Sequence, residues 1–341
     1  IMKKLTLLSF LAVSMVLLSC GGPKTLASYA PEESGLNIMK ITDESSNAVV
    51  GPAAGFGIGK GVFFAASKTG GSKEAKYYWV TNRLLSVSPD GSELAYVTRM
   101  NNLDNVMIRK TNPQGTATQR TNRNVNDVFW GIDGNLYYSD ATDSRHPLIS
   151  AVGAKQGTLV RQLTSNNNDQ QPVLSSDGKL LFFVRTDNTG PTVWSLNIEN
   201  GALTSCAIGY NPCIIPGVKD AFICVRNSSN GNSEIWLVNY EKGQETLILS
   251  DKSKGFTNPA VSPDGRWLVC QGNSKSNINK KNNLDIYAVR LDGTSLIQLT
   301  YHPQIDACPQ WAADGKSIYF LSTRGNEKNY YNVWKMKFDL N

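Results

Sequence analysis

Short, almost continuously apolar runs recur along this chain, and each follows a turn signal. Leu94-Ala95-Tyr96-Val97 follows Ser88-Pro89-Asp90-Gly91, and Leu136-Tyr137-Tyr138 follows Gly131-Ile132-Asp133-Gly134. Leu180 to Val184 follows Ser175-Ser176-Asp177-Gly178, and Ala221 to Val225 follows Pro216-Gly217. Trp267 to Cys270 follows Ser262-Pro263-Asp264-Gly265, and Ile318 to Leu321 follows Ala312-Ala313-Asp314-Gly315. Continuous apolar strands are expected where both faces of a sheet are covered. Asp-Gly tolerates the positive φ values of a tight hairpin turn, so each unit reads as the hairpin that joins the first two strands of a sheet. Pro216-Gly217 departs from the pattern and makes the fourth unit the most divergent.

The turn glycines at 91, 134, 178, 217, 265 and 315 are spaced by 43, 44, 39, 48 and 50 residues, which is the period of propeller blades. A third strand follows each hairpin with a large residue at one repeated position: Met107, Leu148, Trp194, Trp236, Tyr287 and Trp334. Repetition assigns these to packing between blades. A fourth strand with a Gln-Leu-Thr-like signature occurs at Gln119-Arg120-Thr121, Gln162-Leu163-Thr164, Ala202-Leu203-Thr204, Leu247-Ile248-Leu249-Ser250 and Gln298-Leu299-Thr300. The last blade, ending in Asn332 to Asp339, has no such copy after it, but Ile38-Met39-Lys40-Ile41-Thr42 matches the signature before the first blade. The expected fold is therefore all-β: a six-bladed β-propeller of four-stranded antiparallel blades, with the N-terminal strand completing the last blade and removing exposed edges. Residues 43–82 hold the apolar runs Gly61 to Ala66 and Tyr77 to Val80, separated by a loop rich in Gly and Lys. Without a turn motif or fourth strand this insert reads as an elaborated loop, with a seventh blade as the alternative.

The Ser-Pro-Asp-Gly turns and Gln-Leu-Thr strands, recurring in register from Ile38 to Asp339, resemble those of the TolB-like family of WD-repeat-related, PD40-type propellers. The resemblance implies a propeller of the cell envelope. It further implies a partner such as a peptidoglycan-associated lipoprotein or an outer-membrane assembly. Propellers host adaptors, receptors and enzymes alike, so fold does not name the function.

The N-terminus reads as an export signal, with Lys3 and Lys4 ahead of an uncharged run of 14 residues from Leu5 to Leu18. That run is too short to span a membrane as a helix. It ends at Leu17-Leu18-Ser19-Cys20, which resembles a lipobox, so Cys20 is the expected lipidation site. The domain reading is a cleaved lipoprotein signal peptide over 1–19, a lipidated N-terminus and tether over 20–36, and one propeller over 37–341. The expected location is the outer membrane, periplasm-facing or surface-exposed, held by the lipid anchor only. Loss of Lys3 and Lys4 lowers the formal charge from +6 to +4, and no basic run exceeds Lys280-Lys281, so nothing marks a nucleic-acid surface. Of the cysteines after Cys20, Cys224 and Cys270 sit in apolar strands as small core residues, while Cys206 and Cys213, seven apart around Gly209, are candidates for pairing.

Candidate chemistry is sparse. The two histidines, His146 and His302, lie in predicted loops, and no Gly-x-Ser-x-Gly elbow is present. No catalytic residues, metal site or cofactor is expected. Calcium is the one cation the loops suggest, through the oxygens of Asp140 and Asp143 or of Asn166 to Asp169. Arg99, Arg185, Arg226 and Arg324 begin the loops between second and third strands, while Asp127, Asp169 and Asp306 lie in the loops that enter the next blade. Both loop sets emerge on one face, and their repetition assigns them to structural pairs. Unrepeated residues on that face are the candidate binding residues: Arg145, His146, Lys280, Lys281, Tyr301, His302, Tyr330 and Tyr331. The expected function is non-catalytic binding of a protein or envelope polymer on one loop face. The alternative is a propeller enzyme or receptor acting on a glycan or peptide in the central channel.

Overall fold

The computed structural model describes residues 31–42, 62–65, 77–80, 82–112, 115–165, 168–229, 231–275, 282–325 and 331–339. Six four-stranded antiparallel sheets succeed one another along the chain. Blade 1 comprises Leu85–Val87, Glu93–Met100, Leu103–Lys110 and Thr118–Gln119. Blade 2 comprises Val125–Trp130, Asn135–Asp140, Leu148–Gly153 and Arg161–Gln162. Blade 3 is Asp169–Leu174, Leu180–Asp187, Gly190–Asn197 and Leu203–Ile208, and blade 4 is Tyr210–Ile214, Ala221–Asn227, Ser233–Asn239 and Gln244–Leu249. Blade 5 is Phe256–Val261, Trp267–Lys275, Asn282–Arg290 and Ile297–Gln298. Blade 6 is Asp306–Trp311, Ser317–Ser322 and Asn332–Lys337, with Met39–Lys40 as its outer strand. The first strands of successive blades contact one another in a closed circle, which makes the molecule a six-bladed propeller around a central axis. The apolar second strands are buried between neighbouring blades, as Leu94 to Val97, Leu181 to Val184 and Ile318 to Leu321 show.

Each blade opens on the expected hairpin, but the turn glycine alone takes positive φ, between 65° and 79°, while the aspartates before it do not. The aspartate acts through its side chain instead. Asp90 accepts hydrogen bonds from Ser88 Oγ at 2.6 Å and Ser92 N at 3.0 Å, and Ser88 Oγ accepts one from Glu93 N at 2.9 Å. Ser175 and Asp177, and Ser262 and Asp264, repeat the arrangement. The recurring Ser and Asp thus satisfy backbone donors at the turn, and the Gly supplies the left-handed residue. Blade 2 has Gly131 in place of the serine and one residue fewer in its turn. The repeated third-strand position in this blade falls at Ser150, which pairs with Tyr138 and Gln162 as Met107 pairs with Tyr96 and Gln119. Leu148, expected there from the sequence, opens the strand instead.

The Gln-Leu-Thr signature has a definite geometry. Thr121, Thr164 and Thr300 accept hydrogen bonds through Oγ1 from Val106, Ile149 and Ile286 of the third strands at 2.8–2.9 Å, and each preceding Gln donates to the Thr carbonyl. Thr42 reproduces this in blade 6: its Oγ1 accepts from Val333 N at 2.9 Å and donates to Asn332 Oδ1 at 2.7 Å. Met39 pairs with Lys335 and Lys40 with Trp334, so the N-terminal strand closes the ring.

The docked N-terminal segment is longer than this strand. A 3-10 turn at Pro31–Glu33 places Glu33 in the interior, and Leu36 and Ile38 pack on the core of blades 5 and 6. The folded unit therefore begins at or before Pro31, and residues 31–36 are not part of a tether. Cys20 and the signal segment lie outside the described residues. Within 43–82 the described pieces are an antiparallel pair, Val62–Ala65 with Tyr77–Val80, and Asn82. Among the described residues this pair is a two-stranded sheet in addition to the six four-stranded blades. The five described cysteines are free thiols, Cys206 and Cys213 included.

Two expectations follow. Replacing Thr42 by Val keeps its volume but removes the hydroxyl that bonds Val333 N and Asn332 Oδ1, and should lower unfolding free energy in urea by about 1–3 kcal/mol. The hairpin carboxylates Asp90 and Asp264 are held at about 2, below the ordinary 3.8, chiefly by the hydroxyls of Ser88 and Ser262. A folded-state value below the unfolded one stabilises the fold above the unfolded value and loses that contribution as pH falls through the folded one. Stability should therefore decline between about pH 4 and pH 2, and carboxyl titration followed by NMR should place both groups near 2.

Candidate functional site

The first strands carry the features that shape the axis. In blades 2 to 6 each first strand contains a bulge, between Val125 and Val128, Gln170 and Val173, Tyr210 and Cys213, Thr257 and Ala260, and Ala307 and Gln310. In four of these the bulge residue takes positive φ and precedes a proline: Gln171, Asn211, Asn258 and Cys308. A non-glycine residue in this region is uncommon and costs free energy unless the surroundings hold it there.

Those surroundings are a hydrogen-bonded circle running from blade to blade. Asp127 accepts from Arg83 N at 2.9 Å and Gln171 N at 3.2 Å, and Gln171 Oε1 accepts from Asn211 N at 2.7 Å. Asn211 Oδ1 accepts from Asn258 N at 3.2 Å, and Gln271 Oε1 accepts from Cys308 N at 2.9 Å. Asn258 Nδ2 and Cys308 Sγ both donate to the Asn82 carbonyl, returning the circle to blade 1. Asn82, Asp127, Gln171, Asn211, Asn258 and Cys308 are each 2 % exposed or less, so the axis is sealed at this level.

Outward from the seal, toward the hairpin turns, lies a cavity of about 410 Å³. Its walls are mostly apolar: Phe129, Val173, Ile214, Pro259, Val261 and Trp311. Its rim is made by the turns themselves, through Pro89, Ile132, Ser176, Pro216, Pro263 and Ala313. In blade 1 the lining runs from Pro89 at the mouth down to Arg83, beside the seal. The cavity is therefore a blind funnel with an arginine at its floor. Arg83 is 4 % exposed and lies 5.9 Å from the Phe129 ring centroid, and its Nη2 donates to the Pro212 carbonyl at 2.7 Å. Its Nη1 is buried and has no acceptor among the described residues. Burial pushes the Arg83 guanidinium below its ordinary range and the Asp127 carboxyl above its own. The neighbouring thiol of Cys308 is raised to about 12, again by burial, and is protonated at neutral pH.

The residues singled out from sequence fall elsewhere. First-to-second strand turns and second-to-third strand turns lie at opposite ends of an antiparallel blade, so the funnel opens away from the face that carries Arg145, His146, Tyr301, His302 and Tyr331. Arg145 and His146 are exposed and turn toward Asp143, with His146 Nδ1 at 3.1 Å from its carboxylate. Tyr301 is exposed and its N–H donates to Glu33, whereas His302 is buried, with Nδ1 accepting from Gln304 N and its carbonyl accepting from Asn283. Tyr331 is half-buried on the core of blades 1, 2 and 6. Lys280, Lys281 and Tyr330 lie outside the described residues. The structure does not gather the described candidates into one site.

The repeated charges are engaged within blades. Arg185 binds Asp169 through two hydrogen bonds of 2.8 and 3.0 Å, Arg99 binds Asp104 at 2.7 and 3.0 Å, and Arg226 binds Glu245 at 2.7 Å on both nitrogens. Arg324 lies fully buried between Asp306 and Glu33. Arg185, Arg226 and Arg324 also lie over the third-strand tryptophans Trp194, Trp236 and Trp334, at 4.9, 5.3 and 5.9 Å from a ring centroid. A planar cation stacked on an aromatic face and gripped by a carboxylate fixes the corner of the blade. Asp127 does not belong with Asp169 and Asp306. Those two open their strands, whereas Asp127 sits inside the bulge, on the axis. Glu33, Arg83, Gln171, Asn211, Asn258 and Cys308 are not among the residues that the sequence singles out.

The loops considered for calcium are occupied by protein donors. Asp140 accepts from Thr142 and pairs with Arg123, Asp143 accepts from Arg145 N, and Asp169 is taken by Arg185, while Asn166 and Asn167 lie outside the described residues. Among the described residues no cluster of three or more His, Cys, Asp or Glu is placed to hold a metal ion.

Comparison with known proteins agrees with this architecture. Residues 220–339 match the PD40 family, the TolB beta propeller domain. A Tricorn-like protease C-terminal subunit from Sulfurisphaera tokodaii is 26 % identical over 188 residues, which are 53 % of this chain and 19 % of the relative, so the chain spans about a fifth of that protein. Among solved structures, TolB from Agrobacterium tumefaciens superposes with a TM-score of 0.56 at 16 % identity, covering 77 % of this chain and 92 % of that one. TolB from Acinetobacter baumannii gives 0.55 at 13 %, covering 76 % and 65 %. An oligogalacturonate lyase from Vibrio parahaemolyticus gives 0.53 at 12 %, covering 89 % and 97 %. At these identities the structural likeness speaks for fold, which binding proteins and enzymes share. The chain folds as a six-bladed β-propeller similar to those of the TolB structures, and its residues 220–339 match the PD40 family.

Proposed function

We propose that this protein is an exported, lipid-anchored propeller of the cell envelope that binds a partner protein and performs no catalysis of its own. The observation that carries this reading is the rim of the funnel. Pro89, Ile132, Pro216, Pro263 and Ala313 come from five different blades and present apolar surface around one opening, and Ile132 is 58 % exposed. Exposed apolar groups clustered around a concavity suit the centre of a protein interface. Backbone and side-chain hydrogen bonds link the axial residues beneath from blade to blade, an arrangement suited to rigidity and not to proton transfer. Resemblance to TolB supports an envelope partner, with a peptidoglycan-associated lipoprotein or an outer-membrane assembly as the class. The Leu17-Leu18-Ser19-Cys20 motif supports the anchor.

Crosslinking in intact envelopes followed by affinity purification tests this reading. The same partner should be recovered with the wild-type chain and with Cys20→Ala, and recovery should fall with Ile132→Asp on the rim. Unchanged recovery with Ile132→Asp would move the interface away from the funnel. Turnover of a glycan or peptide by the purified chain would overturn the non-catalytic reading.

A further inference from the structure

The funnel contains one feature that docking on its rim does not use. Arg83 is held at the floor by its backbone, through the Asp127 carboxylate, and by the Pro212 carbonyl. Unlike Arg99, Arg185, Arg226 and Arg324, it makes no ion pair among the described residues. The nearest acid, Asp127, spends its oxygens on Arg83 N, Gln171 N and the Ser139 hydroxyl. A buried guanidinium nitrogen with no acceptor is costly to leave so, because its desolvation is uncompensated. A guanidinium presents its donors as a planar fork that matches a carboxylate.

The remaining walls restrict what can carry that carboxylate. Above Arg83 the funnel offers the rings of Phe129 and Trp311, the aliphatic side chains of Val173, Ile214 and Val261, and Pro259. Its polar lining side chains besides Arg83 are few: Ser86, whose hydroxyl already accepts from Trp130 N, Ser88, engaged with Asp90, the Cys213 thiol, which donates to the Ile214 carbonyl, Ser176 at the rim and Gln310. A polyol or sugar would find too few partners to replace the water it loses, whereas an alkyl or aryl body would gain by burial. A volume of about 410 Å³ lies within the range of small-molecule sites.

We infer that the axial funnel is a binding site for a small apolar monocarboxylic acid, with the carboxylate on the Arg83 guanidinium and the hydrocarbon body along the Phe129, Pro259 and Trp311 walls. This goes beyond partner docking on the rim and stands or falls separately from it. Trp130 and Trp311 line the cavity and provide an intrinsic fluorescence signal for occupancy.

The test uses the mature chain expressed from Gly21, without the apolar leader and the lipid-bearing cysteine, so that no detergent competes for the funnel, titrated with octanoate and followed by tryptophan fluorescence and calorimetry. Octanoate should bind saturably at one site per chain, and octan-1-ol should bind at least about tenfold more weakly, as expected for loss of a charged hydrogen bond. Arg83→Gln should weaken octanoate by a similar factor. Ala313→Trp, which narrows the exposed mouth and leaves Arg83 in place, should do the same, and it decides the matter if Arg83→Gln does not fold. Absence of saturable octanoate binding would overturn the assignment. So would equal affinity for octan-1-ol, unchanged affinity in Ala313→Trp, or displacement of octanoate by equimolar inorganic phosphate. None of these outcomes bears on recovery of a protein partner through Ile132, so the two readings fail independently.

Discussion

Closure of the ring by the N-terminal strand is the constraint on which the other features rest. Five blades are completed by their own fourth strands, and blade 6 is completed by residues almost 300 positions earlier in the chain, as the bond from Val333 to Thr42 spans 291 residues. Bringing such distant segments together has an entropic cost that must be offset by the contacts made. Two kinds of contact offset it. Thr42 repeats the threonine geometry of the other blades, so the strand docks in a defined register. Glu33 adds a second grip nine residues earlier, entering the interior to meet Arg324, which Asp306 already holds. A buried arginine with two carboxylates is a poor source of net stability, but removing one partner would leave charge uncompensated, so the arrangement favours the closed state over a frayed one.

A closed ring in turn makes the axial circle possible. The donors and acceptors between Asp127, Gln171, Asn211, Asn258, Gln271, Cys308 and Asn82 run from blade to blade, with all but Gln271 and Asn82 on first strands, and they hold four non-glycine residues at positive φ. Each link requires that neighbouring blades keep a fixed distance from the axis. The circle therefore depends on closure, and it converts an open channel into a funnel with a floor. Arg83 stands where the two meet, its backbone tied to the circle and its side chain lining the cavity.

Much of this architecture is legible in the sequence, because the chemistry of a blade is local. Ser88, Asp90 and Gly91 form their turn within a few residues, and Gln119 with Thr121 forms the outer-strand motif within three, so both recur as recognisable strings. The count of fourth strands then leads to Thr42. What is not legible is the chemistry that crosses blades. The axial position is filled by Asp127, Gln171, Asn211, Asn258 and Cys308, which have no single side-chain type in common and lie 40 to 50 residues apart. The usable signal is the proline that follows four of them, at 172, 212, 259 and 309, on a strand where a proline interrupts pairing. Asp127, followed by valine, lacks that mark, and a shared residue type groups it wrongly with Asp169 and Asp306. Glu33 is obscured for a different reason, since it lies in a stretch that reads as a tether after the lipobox.

The choice of face illustrates the same limit from the functional side. Unrepeated residues such as Arg145, His146, Tyr301 and His302 attract attention because blade packing does not require them, yet the structure disperses them, with His302 buried and Arg145 in solvent. The funnel is built instead from the repeat itself: Pro89, Pro216 and Pro263 are turn residues, and Val173, Pro259 and Trp311 belong to first strands. In a propeller, equivalent positions of all blades converge on the axis, so residues that look structural in each blade taken singly become a common surface when six are assembled. Symmetry then makes the departures from repetition informative at that surface. Ile132 stands where blades 1 and 5 have proline, and Arg83 precedes a first strand whose counterparts in blades 3 to 6 carry no cation. These two departures face the same cavity, one at its rim and one at its floor, and they distinguish this funnel from the ring that frames it.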